Sequence, residues 1–591
     1  MKRPVFVIVF ALVCLAAPSL RAERFGAVSV ENVPQAAGSE WQSSYFVREF
    51  RVENAGGRPA EVRICIRSAG DTPFSTERSV LIAPGAVQNV VLYRPPADAG
   101  GRYSESLQME LVIDGRPVKH SLLPDAGSSI SYKRSGILLS GSLPLHEYRP
   151  FFRLDRYGRS LESSNIPVAQ WGRNLRDYAG LRSIWISSED VVPPEVEAAL
   201  MKWVFSGGTL VICVPPGSPW PEGTEGPDGE PAVRQHGWGR RVVCRPVPAE
   251  KCAAVEAYLK RYADHEGKGE ENKLNGLKRP ELGGGMALLD SLASNDEFFA
   301  RPQPQSFYDE LGLEIPTVPL QLLFYVMLVF VIVIGPVNFL VLRKFRKEPL
   351  ILLTTPAVSL LFCLLVIGFI TLNEGWYSRA KAFGVTLLDQ EGRQAATLAR
   401  LGVYAPIAPG GGFTFDSGDL LEFAHAGAVL ANVDTAQKLA SGLLQPRIPL
   451  CYSVVRVSPQ REKLRIAPEK DGLAVVNGLG ARLNALLVAG PDGGIFVSDS
   501  PVEPGERVLL RRGKQQGSVR KMDMARLYRA AQLAVREKRC DPVSGELPPG
   551  YYCALAEEPL FYTPGFRPDR FEARHAVIGK YSFAGESEDG N

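Results

Sequence analysis

The stretch LQLLFYVMLVFVIVIGPVNFLVLRKFRKEPLILLTTPAVSLLFCLLVIGFITL, residues 320–372, decides how the rest of the chain can fold. It holds two apolar runs, 320–342 and 350–372, joined by Arg343-Lys344-Phe345-Arg346-Lys347-Glu348-Pro349. Each run has about 23 residues, and ~1.5 Å per residue gives roughly 34 Å, enough for a hydrocarbon core of ~30 Å. Neither run contains Asp, Glu, Lys, Arg or His. Runs this long without a charge do not suit a globular core, so the sequence predicts a two-helix hairpin in the lipid bilayer. Gly335-Pro336 and Pro356 are the expected places of kinking or close helix packing. Arg343, Lys344, Arg346 and Lys347 put the short loop on the cytoplasmic side. Both large flanking parts then lie on the opposite side.

The N-terminus gives the same sidedness by a separate route. Lys2 and Arg3, the apolar run 5–17 and Leu20-Arg21-Ala22 read as a signal peptide, 1–22. Leu12-Val13 before Cys14 lacks the small residue a lipidated cysteine requires. The expected location is the inner membrane of a bacterial envelope, with both large domains extracytoplasmic. Nine cysteines occur in 591 residues. With Cys14 in the leader and Cys363 in the second apolar run, an odd number remain outside, so at least one stays free or pairs between chains. Cys540 and Cys553 bracket a Pro/Gly-rich segment and are the disulfide candidates for an oxidising compartment.

Residues 23–134 read as short strands. Val62, Ile64 and Ile66 alternate with Arg63, Cys65 and Arg67, and turn signals separate the runs at Asn54-Ala55-Gly56-Gly57, Ala83-Pro84-Gly85 and Asp114-Gly115. This favours an antiparallel sandwich. Through Phe50-Arg51-Val52-Glu53-Asn54 and Pro84-Gly85 it resembles the immunoglobulin-like modules of secreted bacterial proteins.

Residues 135–263 alternate strand and helix: 136–140, 181–187, a helix opened by Pro193-Pro194 with Val196, Leu200, Trp203 and Val204 on one face, then 209–214, 241–244 and a helix over 252–262. A parallel sheet with flanking helices follows. The run Tyr178-Ala179-Gly180-Leu181 through 195–205 to Gly207-Gly208-Thr209-Leu210-Val211-Ile212 resembles the class I glutamine amidotransferase-like (flavodoxin-like) domains of uncharacterised bacterial membrane proteins. Ile334-Gly335-Pro336-Val337-Asn338 and Thr354-Thr355-Pro356-Ala357 resemble the helical hairpin that follows such a domain there. The resemblance places a nucleophilic cysteine near Cys213. Val214-Pro215-Pro216-Gly217 departs from the small residues the sharp turn after it needs. His236, inside His-Gly-Trp-Gly, and His265, in a charged linker, do not read as its base.

A linker and membrane approach, 264–319, precedes the first helix (320–342), the loop (343–349) and the second helix (350–372). Residues 373–518 read as β-sandwich, with strands at 382–388, 402–405, 464–466, 474–476, 485–488, 495–497 and 507–510. Residues 519–591 read as a helix, with Met524, Leu527, Tyr528, Ala531 and Val535 on one face, followed by closing strands. The fold class is therefore a multidomain α+β membrane protein: sandwich, flavodoxin-like α/β domain, transmembrane hairpin and a mostly-β C-terminal region.

The chemistry is sparse. There is no phosphate loop, no Gly-x-Gly-x-x-Gly after a strand and no Gly-x-Ser-x-Gly elbow. The six histidines show no ligand spacing, and Glu572/His575 reads as surface. Glu189-Asp190 reads as a dipole partner of the helix after Pro193-Pro194. A net charge of +3 with interspersed signs does not suit nucleic-acid binding. Two helices without ionisable residues do not form a transport path by themselves. The expectation is a non-catalytic envelope protein that scaffolds or binds partners, another membrane protein among them, without a cofactor or metal. An accessory subunit of a transport complex is one version, as the family resemblance implies. A cysteine-dependent hydrolase or amidotransferase on 135–263 and an extracytoplasmic ligand sensor are the alternatives.

Overall fold

The structure, a computed structural model, describes residues 23–33, 45–68, 75–95, 107–122, 136–143, 163–215, 217–221, 232–245, 311–313, 320–345, 348–407, 410–423, 429–432, 436–441, 443–498, 500–516 and 524–582. The expected signal peptide, the linker from 264 to 310 with His265, the helix expected at 252–262, and Arg346 and Lys347 lie outside the described residues.

The N-terminal strands are β1 (Glu23–Phe25), β2 (Val28–Val33), β3 (Phe46–Asn54), β4 (Ala60–Ser68), β5 (Ser75–Ile82), β6 (Val87–Arg94), β7 (Leu107–Ile113) and β8 (Arg116–Leu122). One sheet has the order β1-β2-β3-β6, and β5-β4-β7-β8 belong to the other. Their period of two turns Phe50, Val52, Val90 and Leu92 towards Val62, Ile64, Ile66 and Leu111 in one core. The opposite face of β3 and β6 is not wet near one end. There Val47 and Tyr93, with Tyr45 just before β3, are buried against the next domain.

That domain contains β9 (Gly136–Ser140), β10 (Ser163–Ile166), β11 (Leu181–Ser187), β12 (Thr209–Cys213), β13 (Ala232–His236) and β14 (Gly239–Cys244). The order is β10-β9-β11-β12-β14-β13, parallel except for the β13–β14 hairpin. The helix α1 (Pro194–Phe205) starts on proline and buries Val196, Leu200, Trp203 and Val204. The next turn is tight. A Cβ on Gly239 would lie 2.1 Å from the Val204 carbonyl oxygen and 2.2 Å from that of Gly208. The β13–β14 hairpin therefore seats on the end of α1 and projects Trp238 outward.

Two helices long and apolar enough to cross a membrane follow. The first span, Phe324–Lys344, runs through α2 (Leu320–Ile332), a π-helical turn (Val333–Val337) and α3 (Asn338–Lys344). The second is α4 (Ile351–Glu374), with Pro356 inside it. Gly335 and Pro336 lie in the π turn, where the missing proline N–H is absorbed. Asn338 Nδ2 donates to Thr355 Oγ1 at 3.4 Å, and the Phe330 and Phe362 rings meet at 5.0 Å.

Beyond the hairpin run β15 (Arg379–Asp389), β16 (Gln394–Tyr404), β17 (Phe413–Asp416), β18 (Leu420–Phe423), β19 (Val429–Asn432), β20 (Ala436–Ser441), β21 (Leu450–Pro459), β22 (Lys463–Glu469), β23 (Gly472–Gly478), β24 (Leu483–Ala489), β25 (Gly494–Val497) and β26 (Arg507–Gln516). The helices α5 (Met524–Glu537) and α6 (Asp541–Ser544) precede β27 (Tyr551–Ala556) and β28 (Arg570–Lys580). A large sheet has the order β18-β21-β16-β15-β28-β27-β24-β25-β26-β23-β22. The tail is thus not a separate closing unit. Strand β28 pairs in parallel with β15 from Arg379↔Arg570 to Asp389↔Lys580, inside the sheet. The helix α5 lays Met524, Leu527, Tyr528, Ala531 and Val535 onto that sheet as its periodicity predicts.

The lobes before and after the hairpin are also not separate. Strand β19 pairs in parallel with β5, Leu430 opposite Thr76, so β17-β20-β19 extend the N-terminal sheet. Trp238 reaches into the C-terminal core, edge-on to Tyr528 at 5.4 Å, and its Nε1–H donates to the Ala396 carbonyl at 3.1 Å.

Candidate functional site

Open parallel sheets bind ligands outside the carboxyl ends of their strands, where the strand order reverses. Counted along the chain, the parallel strands stand second, first, third, fourth, fifth, so the reversal falls between β9 and β11. These strands end on Ser140 and Ser187. Ser140 Oγ lies 2.9 Å from Ser142 Oγ, and Ser142 donates to Asp190 Oδ1 at 2.7 Å. The Ser187 N–H donates to Asp190 Oδ2 at 2.8 Å. Beside this, Ser218 donates to Glu189 Oε1 at 2.7 Å, and Arg245 stands 5.0 Å from the Trp220 ring centroid. Asp190 therefore holds the strand ends rather than the dipole of α1, whose first-turn acids are Glu195 and Glu197. The strand ends at the reversal thus carry hydroxyls and carboxylates that are paired with one another.

Cys213 is the last residue of β12, aligned with Ser187 and Cys244 on its neighbours. Only 1% of it is exposed. His236 pairs with Gly239, at the other end of β14. Gly239 and Cys244 are five strand steps apart, roughly 16 Å. The His236 ring packs edge-on to Phe205, and burial lowers its pKa. At that separation His236 does not serve Cys213 as a base.

Cys540 and Cys553 come together but are not bridged. Both are buried free thiols, and Cys540 Sγ donates to the Cys553 carbonyl at 3.9 Å. The contact from Cys540, with burial, pushes the Cys553 thiol well up, which keeps it protonated.

His575 departs from its reading as surface. It is fully buried on β28, with Nε2 2.7 Å from Thr386 Oγ1, which lies 2.7 Å from Thr397 Oγ1. A hydroxyl against an imidazole is the geometry of an activated nucleophile. Here no substrate can reach it, because Thr386 and Thr397 are also fully buried. The Leu560 N–H donates to His575 Nδ1, so Nε2 carries the proton and the ring is neutral. Burial depresses its pKa to about 3. Between pH 6.5 and 3 the unfolded chain binds a proton that the folded chain refuses, so this group lowers stability as pH falls, by ~1.4 kcal/mol per unit. The stability gap between wild type and His575→Gln should therefore shrink as pH drops from 7 to 4.5 in thermal melts. Asp177, raised to about 6 mainly by burial, acts oppositely between pH 6 and 3.8 but is common to both proteins and cancels in the gap. A gap independent of pH would refute the neutral, buried ring.

A cleft of about 260 Å³ lies between α5 and β15–β16. Phe383, Val385, Leu398 and Leu533 line it, with Arg400, Arg529 and Arg536 among its walls.

The polar network that ties the lobes together has no motif in sequence. Tyr45, from the N-terminal lobe, accepts the Leu421 N–H at 2.6 Å and donates to the Asp419 carbonyl at 3.3 Å. Asp419, 1% exposed, accepts Arg456 Nε and Nη2 at 2.6 and 2.7 Å. Only the placement of an aspartate beside Leu420-Leu421 could have hinted at it. Asn338, the polar residue that joins the two apolar helices, stands in sequence inside an apolar run.

No family model and no curated protein matches this chain. Among solved structures, the yeast delta-COP-I mu-homology domain is 7% identical over 34% of this chain and 96% of that one, with a TM-score of 0.18. The Amycolatopsis orientalis exo-chitosanase CsxA is 14% identical over 41% and 27%, TM-score 0.14. The Pseudomonas fluorescens alkylpurine DNA glycosylase AlkC is 13% identical over 19% and 33%, TM-score 0.13. The chain thus spans about a third or less of the latter two, and likenesses at this level carry no argument about fold or activity.

Proposed function

We propose that this chain is a non-catalytic protein of the bacterial inner membrane that holds one extracytoplasmic body on a two-helix anchor and scaffolds a membrane partner. An accessory subunit of a transport complex is the version we favour. The observation that carries this is the shared sheet: β5 precedes the hairpin and β19 follows it, yet they pair. A body built from both flanks supports a hairpin whose two ends face the same side. The signal peptide and the basic loop support the outer side. Strand order 2-1-3-4-5 supports the flavodoxin-like reading of 135–263, and burial of Cys213 weighs against the hydrolase alternative. The cleft beside α5 favours the ligand sensor as the second reading.

The partner surface we assign is the π turn. A Cβ on Gly335 would meet nothing within 4 Å, so this small residue leaves an open notch on the helix. A membrane protein should co-purify with the full chain in mild detergent, and Gly335→Ile should abolish this without changing the melting temperature of the outer body. Recovery of the intact chain alone under several conditions would sink the proposal.

A further inference from the structure

The large sheet has two unlike ends. Register places Arg379 of β15 opposite Tyr404 of β16 and Arg570 of β28, and Val403 opposite Leu450 of β21. One end of the sheet therefore collects the segments 376–379, 404–407, 447–450 and 566–570. Large side chains stand exposed there: Trp376 at 63%, Tyr377 at 54%, Ile407 at 59% and Ile448 at 50%. Arg567 is exposed among them, and Arg570 stands over the Tyr377 ring at 5.2 Å. At the other end the β15–β16 turn is Asp389-Gln390-Glu391-Gly392-Arg393, polar throughout.

Both connections to the apolar helices leave from the first end. On the outgoing side Glu374 is five residues from Arg379, at most ~17 Å of chain. Ser378 is clamped there: its N–H and Oγ each donate to Asp569 Oδ2 at 2.8 Å. On the incoming side Leu311 packs against Cys451, and Lys381 Nζ donates to the Gly312 carbonyl at 2.8 Å. Tryptophan and tyrosine sit well at headgroup level, and guanidinium groups pair with phosphates.

We infer that this end of the sheet rests on the bilayer, with Trp376, Tyr377, Ile407 and Ile448 at the boundary of headgroups and acyl chains and Arg567 and Arg570 on anionic headgroups. The inference rests on the reading that α2–α4 span a membrane. It adds an orientation: β15, eleven residues long, stands up from the surface, and its far turn lies roughly 35 Å away. The body is docked rather than tethered.

A photoreactive benzophenone amino acid at single positions of the full chain tests this, in nanodiscs of phosphatidylethanolamine and phosphatidylglycerol that hold one copy each. Position 361, exposed on α4, reports the membrane span, and position 391 reports the far turn. Lipid adducts at 407 and 448 comparable with those at 361, and background at 391, are the expected result. Adducts at 361 but only background at 407 and 448 would overturn the docking while leaving the span intact. Background at 361 as well would overturn the span itself. Equal adducts at 391 and 407 would also overturn the orientation.

Discussion

Trp238→Ala is expected to destabilise the detergent-solubilised protein by about 3–5 kcal/mol, the usual loss for truncating a buried aromatic. Trp238 is fully buried although it sits at the tip of a hairpin turn. Its indole fills a space formed by another part of the chain, with Tyr528 of α5 and Ala396 of β16 as neighbours. Truncation leaves a cavity that the rigid sheet cannot close, and it removes the hydrogen bond to the Ala396 carbonyl. The loss should appear in denaturant melts and as faster proteolysis between the α/β domain and the C-terminal sheet. Trp220, half-buried beside Arg245, is the control, and its truncation should cost far less. Equal effects from the two variants would show that Trp238 does not latch the domains.

Asp419→Ala should be comparably severe, about 3–5 kcal/mol, because it leaves a buried charge unpaired. The Arg456 side chain is only 16% exposed and Asp419 is its bidentate partner. The Asp416 N–H loses its acceptor too. The cost belongs to the orphaned guanidinium more than to the attraction itself. The double variant Asp419→Ala with Arg456→Met should therefore recover most of the loss. Failure of the second substitution to help would mean that the pair contributes through packing or backbone hydrogen bonds instead.

Sequence patterns carried the local structure well where one residue's environment depends on its near neighbours. The stripe Met524, Leu527, Tyr528, Ala531 and Val535 is helical and buried. Val62, Ile64 and Ile66 face a core. The runs at 464–466, 474–476, 485–488 and 507–510 lie within strands. The same patterns misjudged a residue whose burial comes from distant strands. His575 has charged neighbours and reads as surface, yet it is buried against Thr386 and Leu560.

What the sequence determined by itself was the pair of apolar helices, the glycine and proline at which the first of them turns π-helical, and the strand–helix–strand order over 181–213. Periodicity, proline and net hydrophobicity act over a few residues, so they are legible without a fold. What only the tertiary structure decided was which strands meet. Strand pairing uses backbone N–H and C=O groups that every residue shares, so nothing in 75–82 or 429–432 announces that β5 and β19 lie side by side. Nor does anything in 570–580 announce that the tail enters the large sheet beside β15. The first of these pairings joins the two flanks of the hairpin into one body, and in it β19 covers an edge of the sheet that β5 would otherwise leave open.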